Sequence, residues 1–272
     1  MILNNTITGN EAAGFWGGGL SDCNGTIQNN TISGNSADWD GGGLYQCNGT
    51  IQNNTITGNS ATYYGGGLYY CKGPIQNNTI TGNSAGEDGG GLSGCNGTIQ
   101  NCIIWANTAP SGPHVQESSI PTYSCIEGWT GDSKKRNISG DPRFAGPDTD
   151  DFRLLSSSPC IDAGYNDPSL PATDIAGMHR VMYGGKSLMV DMGAWEYYIN
   201  TLSREPNGNA VLTWTSLAGK TYRVERSSDM LTWQTAADNI PSAGSATTTW
   251  TDTTAPFIFP SVRIRYYRTV EK

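Results

Sequence analysis

The sequence predicts an all-β protein: a right-handed parallel β-helix of 24-residue coils, followed by a small antiparallel β-sandwich. Three observations carry the prediction. Several residue types repeat every 24 residues over four copies. Those copies are rich in Gly, Asn, Thr and β-branched residues and carry no helical periodicity. From residue 200 onward, short runs alternate apolar and polar residues between turn clusters.

The repeat begins with Gly17-Gly18-Gly19-Leu20, which recurs as Gly41 to Leu44, Gly65 to Leu68 and Gly89 to Leu92. Cys23, Cys47, Cys71 and Cys95 keep the same step, as do Ile27, Ile51, Ile75 and Ile99. Ile32, Ile56, Ile80 and Ile104 form another column, and Asn35, Asn59, Asn83 and Asn107 another. A unit this short cannot bury a face alone; stacked units share one core and pair their strands in parallel. Equivalent residues then lie about 4.8 Å apart. The asparagine columns at the bends are placed to form ladders of side-chain amides. Handedness follows from the right-handed preference of parallel crossovers.

Residues 1–109 read as regular coils, with Met1 to Asn10 matching the second half of a unit. Residues 110–199 mix Pro, Gly and Asp turns with short apolar runs and read as irregular closing coils. In residues 200–272, strands are expected at Ala210 to Thr215, Thr221 to Ser227, Thr232 to Thr235, Thr247 to Asp252 and Arg263 to Val270. Trp214, Tyr222, Trp233 and Tyr266 are the candidate core of this sandwich.

Charge narrows the function classes. The net charge is −8, and residues 1–130 hold a single base, Lys72, against eight acids. Nucleic acid is excluded as a partner, because phosphate binding needs clustered Lys and Arg. No apolar run of about 18 residues exists, so no membrane span is predicted.

The cysteines fall into two groups. Cys125 and Cys160 lie in the irregular segment, where a disulfide between them and two separate thiols are both open. The column Cys23, Cys47, Cys71 and Cys95 reads as small buried thiols, since parallel side chains are poorly aimed for a disulfide. Asp148, Asp150 and Asp151 form a tight acidic turn that suits Ca²⁺ or simply solvent; no other cofactor is indicated. His114 and His179 are the two histidines available as neutral-pH bases. Paired carboxylates for glycoside hydrolysis have candidates only in Asp38, Asp40, Glu87 and Asp88, and these read better as variable loop residues. No catalytic residue is assigned.

Aromatic residues mark the candidate binding face. Trp16, Trp39, Tyr63 and Tyr64 precede the glycine triplets, and Tyr45, Tyr69 and Tyr70 follow the leucines. Repeated along a solenoid they form a strip. Such a strip can stack on itself, contact another protein, or stack on sugar rings.

Five segments occur in fixed order: Asn101 to Trp105, Tyr123 to Ile126, Gly140 to Phe144, Ser158 to Gly164 and Val190 to Tyr197. This pattern resembles bacterial surface proteins with right-handed parallel β-helix repeats, abundant in planctomycetes and related environmental bacteria. The C-terminal stretch resembles the fibronectin type III or immunoglobulin-like modules that end many bacterial surface proteins. The resemblance implies an extracellular or cell-surface location and carries no catalytic residues. Ile2 and Leu3 already belong to the repeat, with no cap before them, so an exposed end is expected. The leading expectation is a non-catalytic structural subunit that self-associates head to tail as a filament. The alternatives are a module that binds or degrades carbohydrate, including cell-surface glycans, and a fragment of a larger adhesin.

Overall fold

The computed structural model describes residues 1–177, 180, 189–197, 201–205, 209–215, 221–227, 232, 234–241, 247–253 and 266–271. Short strands stack into four parallel sheets. The first holds Ile2–Leu3, Ile27–Gln28, Ile51–Gln52, Ile75–Gln76 and Ile99–Gln100, and so counts five coils. Partners are offset by one repeat, as in Ile51 opposite Ile75 and Ile56 opposite Ile80. The expected parallel β-solenoid is therefore formed. Its interior is the predicted one: the Ile27, Ile32, Leu44 and Cys47 columns stack in one buried cluster, with Val115, Ile126 and Trp129 packed at its far end.

Two asparagine ladders line the inner bends. Asn35, Asn59 and Asn83 each donate from Nδ2 to the Oδ1 of the next asparagine, at 2.9 Å in every step up to Asn107. A second ladder, Asn30 to Asn54 to Asn78, has 3.0 Å steps. Cys102 stands where the next asparagine would, and its backbone N–H turns to Ser124 Oγ instead.

The glycine triplets have a steric cause. A Cβ on Gly66 would lie 2.2 Å from the Ser84 carbonyl oxygen and 2.7 Å from that of Gly90, both fixed backbone. Gly66→Ala is expected to lower stability by about 3 kcal/mol, the upper end of overpacking costs. Thermal melting by circular dichroism would detect it; an unchanged midpoint would show that the coils spread freely.

Past the regular coils the structure departs from the expectation. Coil-like pairing continues through Val115–Gln116 and Cys125–Ile126 to a bridge between Cys125 and Ile138. Next comes an antiparallel hairpin of Phe144–Gly146 with Asp151–Leu154. The described residues from about 160 to 197 are not further coils. They form a strap along the solenoid flank, held by the asparagine column at one corner. Asn101 exchanges hydrogen bonds with the Tyr165 backbone at 2.8 and 2.9 Å. Asn77 Nδ2 donates to the Asp191 carbonyl, and Asn53 Nδ2 to that of Thr173. These corner asparagines sit in the left-handed region (φ 51–56°), and besides meeting the strap Asn101 Nδ2 donates to Asn77 Oδ1 at 3.3 Å.

The C-terminal region forms two three-stranded antiparallel sheets. One orders Thr201–Arg204, Ala210–Thr215 and Thr247–Asp252; the other orders Gln234–Pro241, Thr221–Ser227 and Tyr266–Glu271. Leu212 and Trp214 from one sheet meet Tyr222 and Val224 from the other in a buried cluster. Trp214 and Tyr222 are thus in the core that the sequence predicts for them, and their rings cross edge to face at 5.9 Å. Trp233 and the Tyr266 side chain lie outside the described residues.

Candidate functional site

The aromatic strip is built by the solenoid itself. Phe15, Trp39, Tyr63 and Glu87 occupy one column; the N–H groups of Trp39, Tyr63 and Glu87 each donate to the carbonyl one coil before. Trp16, Asp40, Tyr64 and Asp88 occupy the adjacent column. Tyr45 pairs with Tyr69 in the strand after the glycine triplet, and Tyr70 lies one residue further on. Any side chain placed there recurs about 4.8 Å along the axis.

All seven predicted rings come together. Trp16 stacks on Tyr45 with centroids 5.6 Å apart, Tyr45 on Tyr69 at 6.1 Å, and Tyr64 on Tyr69 at 5.8 Å. This inner stack is self-satisfied. The outer rings are set differently. Trp39 crosses Trp16 at 63° and Tyr63 at 68°, and Tyr70 crosses Tyr69 at 82°. Rings crossed at such angles are not covered face to face by these neighbours. Relative exposure is 47% for Trp39, 43% for Tyr63 and 40% for both Trp16 and Tyr70. Phe15, Trp16, Trp39, Tyr63 and Tyr70 make five of the nine exposed large apolar side chains among the described residues. Exposed apolar area is thus concentrated here, as at an interaction site.

Carboxylates edge the rings. Asp40 is buried between the Trp16 and Tyr64 positions, where its Oδ1 accepts the Tyr64 N–H at 3.1 Å. Burial raises its pKa, and hydrogen bonds from the Tyr64 backbone and the Trp16 side chain partly offset the rise. Asp88 accepts the Ser93 hydroxyl at 2.9 Å. Burial raises the Tyr45 and Tyr69 phenols, and nearby carboxylates (Asp22 and Asp40 for Tyr45, Asp40 and Asp88 for Tyr69) add to it. The strip is therefore bordered by acidic side chains, Asp22, Asp40 and Asp88 among them.

The other candidates are placed elsewhere. Ile2 is half-buried opposite Ile27, and Leu3 is exposed beside it in the first coil; neither belongs to the aromatic strip. Cys47, Cys71 and Cys95 lie in the core as expected and Cys23 packs half-buried against its end, each thiol donating to the carbonyl two residues before it. Burial pushes Cys23 up to about 11 and Cys71 well above the ordinary range, while Cys47 is lowered, chiefly by the neighbouring Cys71 side chain. No disulfide joins Cys125 and Cys160. Both are buried in one cluster, but Cys125 Sγ is directed at the Gly140 carbonyl, 3.2 Å away.

Asp148, Asp150 and Asp151 do not converge into a cation site. Asp151 is held by Arg153 in a two-pronged ion pair, at 2.8 and 2.6 Å, which lowers its pKa. Asp148 lies in a short 3₁₀ turn, Pro147–Thr149, and Asp150 caps that turn in the left-handed conformation. Among the described residues no three His, Cys, Asp or Glu side chains gather as a metal site. His114 is half-buried, with Nε2 at 3.5 Å from Glu127; His179 lies outside the described residues.

Sequence reasoning missed one cluster. Arg180 is fully buried under the strap. It donates to Glu196 at 2.7 Å, to Asn53 Oδ1 at 2.6 Å and to the Gly193 carbonyl at 2.9 Å. Asp174 and Asp191, also buried, accept backbone N–H groups beside it.

The class defined by this architecture is a parallel β-solenoid with one aromatic, acid-edged face and an antiparallel C-terminal region. No helix among the described residues is long and apolar enough to cross a membrane. No protein family, curated protein or solved structure matches the chain.

Proposed function

We propose that this chain is a non-catalytic, extracellular polysaccharide-binding protein, with the aromatic strip as its binding face. The observation that carries the reading is the set of crossed, exposed rings, Trp39, Tyr63 and Tyr70, mounted on a rigid stack. Sugars present apolar C–H faces that pack on aromatic rings, and rings held in place lose little entropy on binding. What supports binding over cleavage is the state of the carboxylates: Asp40 is buried and engaged by two donors, and Asp88 accepts a serine hydroxyl. The pairing of the C-terminal strands supports a fibronectin-like or immunoglobulin-like module that tethers or spaces the solenoid.

The test is retention on insoluble polysaccharides (cellulose, chitin and chitosan), comparing the full chain with Trp39→Ala. At least one polymer should retain the protein, and the variant should bind at least about tenfold more weakly, equivalent to about 1.4 kcal/mol. Its melting point should barely move, since Trp39 is exposed. Equal retention of the variant, or no retention on any polymer, sinks the reading. If the protein instead sediments as a multimer that Trp39→Ala dissolves, the strip is a subunit contact.

A further inference from the structure

The charge around the strip narrows the class of polysaccharide, an inference that rests on the binding reading above. The strip has carboxylates on both margins. Asp22 is exposed on the Tyr70 side, its N–H paired with the Tyr45 carbonyl. Asp38 and Glu87 are exposed on the Trp39 side, in or beside the Phe15 column. Asp40 and Asp88 lie within it. Across residues 1–130 the one base is Lys72, which occupies the separate corner column of Asn48. A uronate or sulfated polymer would meet like charge along the whole strip. A polymer carrying ammonium groups would meet carboxylates at the margins and ring faces between them, each attractive to a cation.

Spacing favours a sugar chain over other cationic polymers. The solenoid advances about 4.8 Å per coil, close to the advance of one hexose in an extended 1,4-linked chain. Ring centroids along the strip are 5.2 to 6.4 Å apart from coil to coil. A flat chain laid along the axis therefore keeps register with the columns, one sugar per coil, over the coils that carry Trp16, Trp39 and Tyr63.

We infer that the ligand is an amino-sugar polymer with free amines, running along the solenoid axis with its ammonium groups between the rings and Asp22, Asp38 and Glu87. No bond is made or broken.

The experiment is calorimetric titration of the full chain with three β-1,4-linked hexamers that differ only at C2: glucosamine, N-acetylglucosamine and glucose. The glucosamine hexamer should bind about tenfold more tightly than the glucose hexamer at low salt. The gap should close as salt rises and as the pH is raised past the amine pKa. In the triple variant Asp22→Asn, Asp38→Asn, Glu87→Gln the two affinities should converge. Equal affinity for the three hexamers overturns the amine inference and leaves the binding face standing. Tighter binding of the acetylated hexamer also overturns it. A lysine hexapeptide that binds as tightly as the glucosamine hexamer overturns the sugar, since charge alone then suffices. If no hexamer binds and Trp39→Ala changes nothing, the binding reading itself falls.

Discussion

Replacing Asn59 by alanine is expected to destabilise the solenoid by about 4 kcal/mol or more, because the loss of one side chain strands several buried groups. Asn59 Oδ1 accepts from both the backbone N–H and the Nδ2 of Asn35, at 3.0 and 2.9 Å. Its Nδ2 donates to the Ile32 carbonyl at 3.0 Å and to Asn83 Oδ1 at 2.9 Å. Alanine removes all four bonds and supplies nothing. Two donors are then left buried without an acceptor, and two acceptors each lose a donor, at about 1–3 kcal/mol for each group left unsatisfied. Most point substitutions cost about 0.5–3 kcal/mol, and whole domains are stable by only about 5–15 kcal/mol. The control is Asn10→Ala at the exposed end of the same ladder. Asn10 gives Asn35 Oδ1 one amide bond, at 2.8 Å, and accepts none from a further asparagine. Its loss should cost under about 1 kcal/mol, since water replaces the partner. Thermal and urea unfolding of both variants would measure the difference. Equal losses would mean that the ladder is an ornament of the bend and the isoleucine stacks alone hold the coils.

The same ladder explains why so much of the fold is legible in the sequence. In a solenoid each residue's main neighbour is its own counterpart one coil away, so spatial proximity is written into the sequence as a period. Ile51 touches Ile75, and Asn59 touches Asn83, because they are 24 apart. The binding face is legible for the same reason: Trp39 and Tyr63 hold one register position and therefore stand together. Legibility ends where a residue's neighbours no longer follow the period. Arg180 meets Asn53 across 127 residues, and no spacing foretells that. A buried arginine and three buried acids look, in sequence, like ordinary surface residues. The acidic turn fails differently. Asp151 and Arg153 are two apart in a strand, hence on one face, where an ion pair competes with any cation.

The strip shares these mechanics. Its inner rings, Tyr45, Tyr64 and Tyr69, contribute stacking to the solenoid and position the exposed ones. A substitution there should affect stability and binding together, whereas Trp39 and Tyr63 should affect binding with little change in stability.

Arg180→Met is the second large effect, and its size should depend on pH. Arg180 is buried and meets Glu196 at 2.7 Å, with Asp174 and Asp191 close by. Removing the cation takes the ion-pair partner from the buried Glu196, a loss of about 3–5 kcal/mol. Burial raises Glu196 first of all; Arg180 pulls it down and Asp174 adds to the rise, with a net result of about 7 against an ordinary 4.5. Asp191 is also raised, by burial and by Glu196. A raised pKa means that the folded state holds the proton more tightly than the unfolded chain. The stability this contributes is complete below about pH 4.5 and is lost as the pH rises through about 7. Asp151 and Asp167, with lowered values, act in the opposite sense and only at more acid pH. The wild type should therefore melt higher at about pH 5 than at about pH 8. The Arg180→Met penalty should be largest at the alkaline end, where Glu196 is charged, and should shrink in acid, where protonation removes the need for a partner. Glu196→Gln should flatten the slope between those two pH values, because it removes the titrating group. Melting curves of the three proteins at both ends of the range decide the matter: a penalty for Arg180→Met that is the same throughout would show that the strap is held by shape and by its bonds to Asn53, Asn77 and Asn101, with the buried charges contributing nothing to the latch.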